Sequence, residues 1–196
     1  MPHRVGLLGG TFDPPHNGHL SVALEVRRSL GLDSVLLVPA HVPPHKRTDG
    51  VTAASLRLEM VTAAVAGAPG LDVSAIELER EGPSFSVDTL RQLRAERPET
   101  ELAFIVGADQ LAEMSSWREP EQIAALSSLV VMNRGALEPV APDVDCALEW
   151  TGVSVTPTDV SSTEIRRMVA EGHSVGHLVP REVLRIIERE KLYCNS

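Results

Sequence analysis

The stretch VGLLGGTFDPPHNGHL, Val5 to Leu20, decides the fold. It begins with a short apolar run, part of a strand expected over residues 3–8. Such a run bounded by turn residues reads as a buried strand. Two glycines, Gly9 and Gly10, end it. An acid, two prolines and two histidines three residues apart follow, and a helical pattern then runs over residues 19–32 and stops at Gly31. Strand, glycine turn and helix in that order open a βαβ unit. In sheets built from such units, ligands sit beyond the carboxyl ends of the strands.

The alternation continues along the chain. Further strands are expected at 34–39, 101–109, 128–135 and 152–157. An irregular one is expected at 71–79, where the period-two pattern shifts from Val73 and Ala75 to Ile76 and Leu78. Helices are expected at 53–67, 84–98, 119–127, 161–172 and 180–193. The fifth opens on Ser161 and Glu164 at capping-box spacing. The sixth has Pro180 in its first turn and Val183, Ile186 and Ile187 on one face. Residues 40–50 read as a loop stiffened by Pro43 and Pro44, and 136–150 as a loose surface segment. The pattern predicts an α/β fold, a Rossmann-like open, mostly parallel sheet with helices on both faces and a C-terminal helical end piece from about residue 160. One domain spanning residues 1–196 is expected.

The net charge of −9 argues against a general nucleic-acid binder. The charge is uneven, however. Residues 3–47 hold five Lys/Arg against three Asp/Glu, and five of the seven histidines. A locally basic region on an acidic chain suits a small anionic ligand. Two cysteines, Cys146 and Cys194, make neither a disulfide framework nor a metal spacing. No stretch has the length of a membrane span, and the first residues lack a signal-peptide pattern. A cytoplasmic location is expected.

Glycines at a strand end let main-chain N–H groups approach an anion closely. The spacing here matches neither the dinucleotide fingerprint nor a P-loop. If a helix starts near Asn17, one turn brings His16 and His19 to one side of its N-terminus, where free N–H groups and the helix dipole favour phosphate. Zinc ligation by His-x-x-His is an alternative, although no third ligand is evident. A polar loop with incidental histidines is another.

"GGTFDPPHNGH" (9–19) resembles the His-x-Gly-His signature of the nucleotidyltransferase superfamily. The fuller set is similar to bacterial nicotinate-mononucleotide adenylyltransferases. It comprises "PPHK" (43–46), "GPSFSVDTL" (82–90), "FIVGADQL" (104–111), Trp117, "VSSTEIR" (160–166) and the closing "LY" (192–193), in family order over nearly the whole chain. The resemblance implies transfer of AMP from ATP to the phosphate of nicotinate mononucleotide, with release of pyrophosphate. By the same resemblance His16, His19, Lys46 and Arg166 are the catalytic set. ATP would be held by Gly9, Gly10, Thr11, Phe12, Gly107, Asp109, Ser161, Ser162 and Thr163. The mononucleotide would be held by His45, Arg47, Ser84, Phe85, Ser86, Trp117 and Arg134.

Lysine occurs only at Lys46 and Lys191, against sixteen arginines, so a lysine in the 40–50 loop stands out. The start of a helix near Ser84–Ser86 suits a pyridine carboxylate over an amide. Simple N-capping by either serine is compatible with that. The family's usual Tyr-Thr is here Phe85-Ser86, so a phenol is lost and a hydroxyl kept. Its Pro-Gly after the arginine is here Gly135-Ala136. Trp117 in a polar stretch suits ring stacking, and Trp150 suits packing. Mg²⁺ is expected on the ATP phosphates, with no protein ligand assigned. Nucleic-acid and membrane partners are not expected, and self-association is left open. The rivals are a sister transferase using phosphopantetheine or another phosphate acceptor, a silent nucleotide sensor and a zinc hydrolase.

Overall fold

A computed structural model describes residues 2–41, 50–133, 142 and 148–194. Among them, six strands form one fully parallel sheet in the order β3-β2-β1-β4-β5-β6. The strands are β1 (Arg4–Gly10), β2 (Ser34–Pro39), β3 (Leu71–Val73), β4 (Glu101–Gly107), β5 (Ser128–Asn133) and β6 (Trp150–Ser154). The helices between and after them are α1 (Asn17–Leu30), α2 (Ala54–Val65), α3 (Ser86–Glu96), α4 (Ala108–Ala112), α5 (Pro120–Leu126), α6 (Ser162–Ala170) and α7 (Arg181–Arg189).

The strands read as unbroken apolar runs because both faces of the sheet are covered, and the alternation shows only in where each side chain goes. Leu8, Val35, Leu37, Ala103, Ile105, Val130 and Met132 meet α1 and α2 on one face. Val5, Leu7, Leu36, Val38, Leu102, Phe104, Leu129 and Val131 meet α3 and the 111–123 segment on the other. Each large aliphatic side chain so buried contributes about 1.5–3 kcal/mol relative to exposure. A third cluster joins Met60 and Ala64 of α2 to Ile165 of α6 and Val183, Ile186 and Ile187 of α7, which docks the C-terminal helical piece onto the sheet domain.

Two expectations are corrected. The strand expected over 71–79 stops at Val73. The N–H groups of Leu78 and Glu79 turn back to the Ala75 carbonyl, which takes that stretch out of the ladder. Pro180 is the N-cap of α7 and not a residue of its first turn. Chain order reverses between β1 and β4: one runs on to β2 and β3, the other to β5 and β6. The carboxyl ends of these two strands flank the crevice where an open α/β sheet takes its ligand.

Candidate active site at the reversal of strand order

The turn after β1 is held from several sides. Phe12 adopts a positive φ of 51°, and its ring is buried beneath the strand end. A Cβ on Gly10 would lie 3.0–3.2 Å from that ring, so a side chain there would crowd it. At Gly9 a Cβ would meet nothing within 4 Å, which leaves that side of the strand end open to a ligand. Phe12 can therefore offer a nucleotide only its main chain.

His16 is the N-cap of α1 and is buried, whereas His19 in the first turn is half-buried. Their rings stack at 3.7 Å and 26°. Phe12 meets the His19 ring edge-on at 4.9 Å. The His16 main-chain N–H donates to Nδ1 of His19 (3.2 Å). A neutral His19 then carries its proton on Nε2. Gly18 permits this closeness, because a Cβ there would lie 2.8 Å from Thr158 Oγ1, 2.9 Å from Val160 Cγ1 and 3.0 Å from His16 Nδ1.

Helix α6 closes on the same turn. The Ser162 hydroxyl donates to the Pro14 carbonyl (2.8 Å). Arg166 Nη1 donates to the Asp13 carbonyl (2.7 Å), and its Nη2 donates to Thr163 Oγ1 (3.3 Å). Ser161 caps the helix by accepting the Glu164 N–H. The reciprocal half of the expected capping box is replaced, since the Glu164 carboxylate pairs with Arg167. The expected catalytic residues His16, His19 and Arg166 thus sit around one turn, with Ser161, Ser162 and Thr163 beside them.

Next to that turn is a cavity of about 310 Å³. Eight of the expected residues line it: Gly9, Gly10, Thr11, Ser84, Phe85, Ser86, Asp109 and Trp117. Phe85 is the N-cap of α3 and has no side-chain acceptor to give, so the helix start is uncapped and Ser86 is its first residue. Neither serine is the cap. The Ser84 hydroxyl instead accepts the His41 main-chain N–H (2.9 Å). Trp117 stands edge-on to Phe104 (6.1 Å), so it both packs and lines the cavity. The Gly107 N–H is taken by Gln110 Oε1 (2.9 Å), which starts α4. His45, Lys46, Arg47 and Arg134 lie outside the described residues.

Glu77 and Arg118 lie outside the quoted motifs, whereas Asp13 and Tyr193 lie inside two of them without an assigned role. Glu77 lines the cavity, is 7% exposed, and accepts the Thr89 hydroxyl (2.7 Å). Burial raises its carboxyl above the usual range, while the hydroxyls of Thr89 and Ser84 and the Arg80 charge pull the other way. Asp13, inside the opening motif, accepts the Thr52 N–H (3.1 Å) and the Tyr193 hydroxyl (2.6 Å) through its two carboxylate oxygens. Burial, followed by that bond to Asp13, holds the Tyr193 phenol well above its ordinary pKa. Arg118 lies over the Phe85 ring (5.0 Å) at the cavity wall. Among the described residues, no group of three His, Cys, Asp or Glu side chains is placed to hold a metal ion. No helix there is long and apolar enough to cross a membrane.

A family described as cytidylyltransferase-like matches residues 7–168. A probable nicotinate-nucleotide adenylyltransferase of Thermus thermophilus is 44% identical over 190 residues, covering 97% of this chain and 99% of the relative. One from Exiguobacterium sibiricum is 40% identical, covering 97% and 98%. The solved structure of Plasmodium falciparum nicotinic acid mononucleotide adenylyltransferase complexed with NaAD superposes with a TM-score of 0.78. It covers 97% of both chains at 17% identity, a likeness of fold.

Proposed function

Because the chain belongs to the cytidylyltransferase-like family, and within it to the nicotinate-nucleotide adenylyltransferases, we propose that it transfers AMP from ATP to nicotinate mononucleotide, forming deamido-NAD and pyrophosphate. One observation carries the reading: the stacked histidines at the head of α1 share a turn with Gly9–Thr11, which lines the cavity. A phosphate oxygen of the mononucleotide attacks the α-phosphorus of ATP. The bond from that phosphorus to the bridging oxygen breaks, and pyrophosphate leaves. No protein nucleophile is required, so the chain's part is positioning and charge stabilisation.

His19 supplies an Nε2–H donor to the transferring phosphoryl group. His16 fixes the tautomer of that ring through its main-chain N–H. Arg166 and the N–H groups at the start of α6 face the β- and γ-phosphates. Lys46 and Arg47 add cations from the 40–50 loop, His45 accompanies them, and Arg134 meets the mononucleotide phosphate. The pyridine ring enters the cavity against Trp117, with its carboxylate at the uncapped start of α3. An anion there gains from the helix dipole by about 0.3–1 kcal/mol where exposed, and by more when partly buried. Mg²⁺ arriving with ATP would neutralise phosphate charge, and no residue of the chain is assigned to hold it. A cytoplasmic location fits the need for ATP.

The experiment is pyrophosphate release from ATP with a panel of acceptors: nicotinate mononucleotide, nicotinamide mononucleotide and phosphopantetheine. The first is expected to be strongly preferred. Preference for phosphopantetheine overturns the acceptor, and binding of ATP and acceptor without pyrophosphate release overturns the reaction.

A further inference from the structure

Arg57, on α2, is the largest fully buried side chain among the described residues, at 1% exposure. A buried arginine is ordinarily matched by a carboxylate in a paired fork. The hydrogen-bond acceptors of Arg57 are main-chain carbonyls. Nε donates to the Thr52 carbonyl (2.9 Å), Nη1 to the Thr11 carbonyl (2.9 Å) and Nη2 to the His41 carbonyl (3.4 Å). Burial lowers its pKa, and the charges of Asp13 and Tyr193 work against that lowering.

The three acceptors belong to two connections: Thr11 follows β1, while His41 and Thr52 lie at the two ends of the link from β2 to α2. Thr11 is in the glycine turn and lines the cavity. His41 follows β2, and Thr52 precedes α2. Asp13 closes the same cluster by accepting the Thr52 N–H (3.1 Å). An apolar side chain of similar volume would avoid the desolvation of a charge, so packing alone gives no reason for an arginine here. Its planar fork has donors in fixed directions, which lysine lacks. That geometry suits one task, holding the turn after β1 and both ends of the β2–α2 link at fixed separations.

We propose that Arg57 is a positioning residue for adenylyl transfer: its guanidinium locks the main chain at Thr11, His41 and Thr52 into one arrangement at the ligand edge, without itself touching a substrate. The inference rests on the reading of the reaction given above. The two are separated by assaying the parent protein alongside the variants.

The test compares the parent with Arg57→Lys and Arg57→Met. Circular dichroism and thermal melts establish the temperature at which each is folded, and steady-state pyrophosphate release and ATP affinity by calorimetry are measured below it. Arg57→Lys keeps the charge but not the fork. It is expected to fold, to lose about 10- to 100-fold in kcat, in line with the cost of small misplacements at a reacting centre, and to keep the KM for nicotinate mononucleotide within a few-fold. A folded Arg57→Lys or Arg57→Met protein that turns over at the parent kcat and KM overturns the proposal, since the arginine then serves stability alone. If Arg57→Met does not fold, Arg57→Lys decides. If the parent releases no pyrophosphate with any acceptor, the reaction is misassigned. The ATP affinities then decide: weaker binding by Arg57→Lys supports the lock, and equal affinity overturns it.

Discussion

His19 has the most direct consequence of any residue here. It is half-buried, on the first turn of α1, and its Nδ1 is already occupied by the His16 N–H. Replacing His19 by Ala removes its imidazole but little of the core. We expect kcat to fall by ~10²–10³, the usual cost of one preorganised donor to a transition state, with the melting temperature within a few degrees of the parent. Unchanged turnover would remove His19 from the chemistry. Gly18 makes a subtler case. Its missing Cβ is what lets Thr158, Val160 and His16 approach. Gly18→Ala should push the His16 ring or the 158–160 segment aside and lower kcat by roughly 10²-fold; single-turnover rates on the folded variant check this. The histidines were legible in the sequence because their spacing and the glycines before them form a local pattern. Glu77 and Arg57 were not: each has other charges close by in sequence, Glu79–Glu81 and Glu59, and reads as part of a solvated face, whereas its burial is decided by how the chain packs around it.

At the scale of elements, most strands and helices were legible because apolar periodicity and glycine or proline stops act locally. The failures are equally local. Residues 74–79 continue an apolar alternation, yet the Ala75 carbonyl collects two turn hydrogen bonds and ends the strand at Val73. Helix α4 is five residues long, too short for a period to show. Helix α6 tests the value of a cap. Ser161 accepts the Glu164 N–H (3.2 Å), and the same turn aims Ser162 and Arg166 at the opening loop. Ser161→Ala should cost about 1 kcal/mol of folding free energy, within the usual range of ~0.5–2. Urea unfolding measures that loss. A wider loss would show the cap also supporting the docking of α6, and no loss would show the Glu164–Arg167 pair sufficing.

For the whole molecule, the sequence supported an open parallel sheet, and the comparisons place this chain among proteins of that fold. Strand order is a property of pairing between distant segments, so the reversal between β1 and β4 entered only with the structure. Whole-molecule stability also carries a pH signature. Burial raises the Glu77 carboxyl in the folded state above its unfolded range. The fold therefore binds that proton more tightly than the unfolded chain does. Its contribution is complete below the ordinary glutamate range and is lost as pH rises through the raised value. Glu77→Gln keeps an acceptor for Thr89 but cannot ionise. The melting temperature of the variant relative to the parent should climb as pH rises above the ordinary glutamate range of about 4, and a flat difference would show that Glu77 ionises in the fold as it does in the unfolded chain. The bond from Tyr193 to Asp13 spans 180 positions of sequence and ends on the motif that opens the chain. During synthesis the first βα turn leaves the ribosome long before its partner does. The nascent protein can assemble its sheet early, but the turn gains its last support only once Tyr193 has emerged.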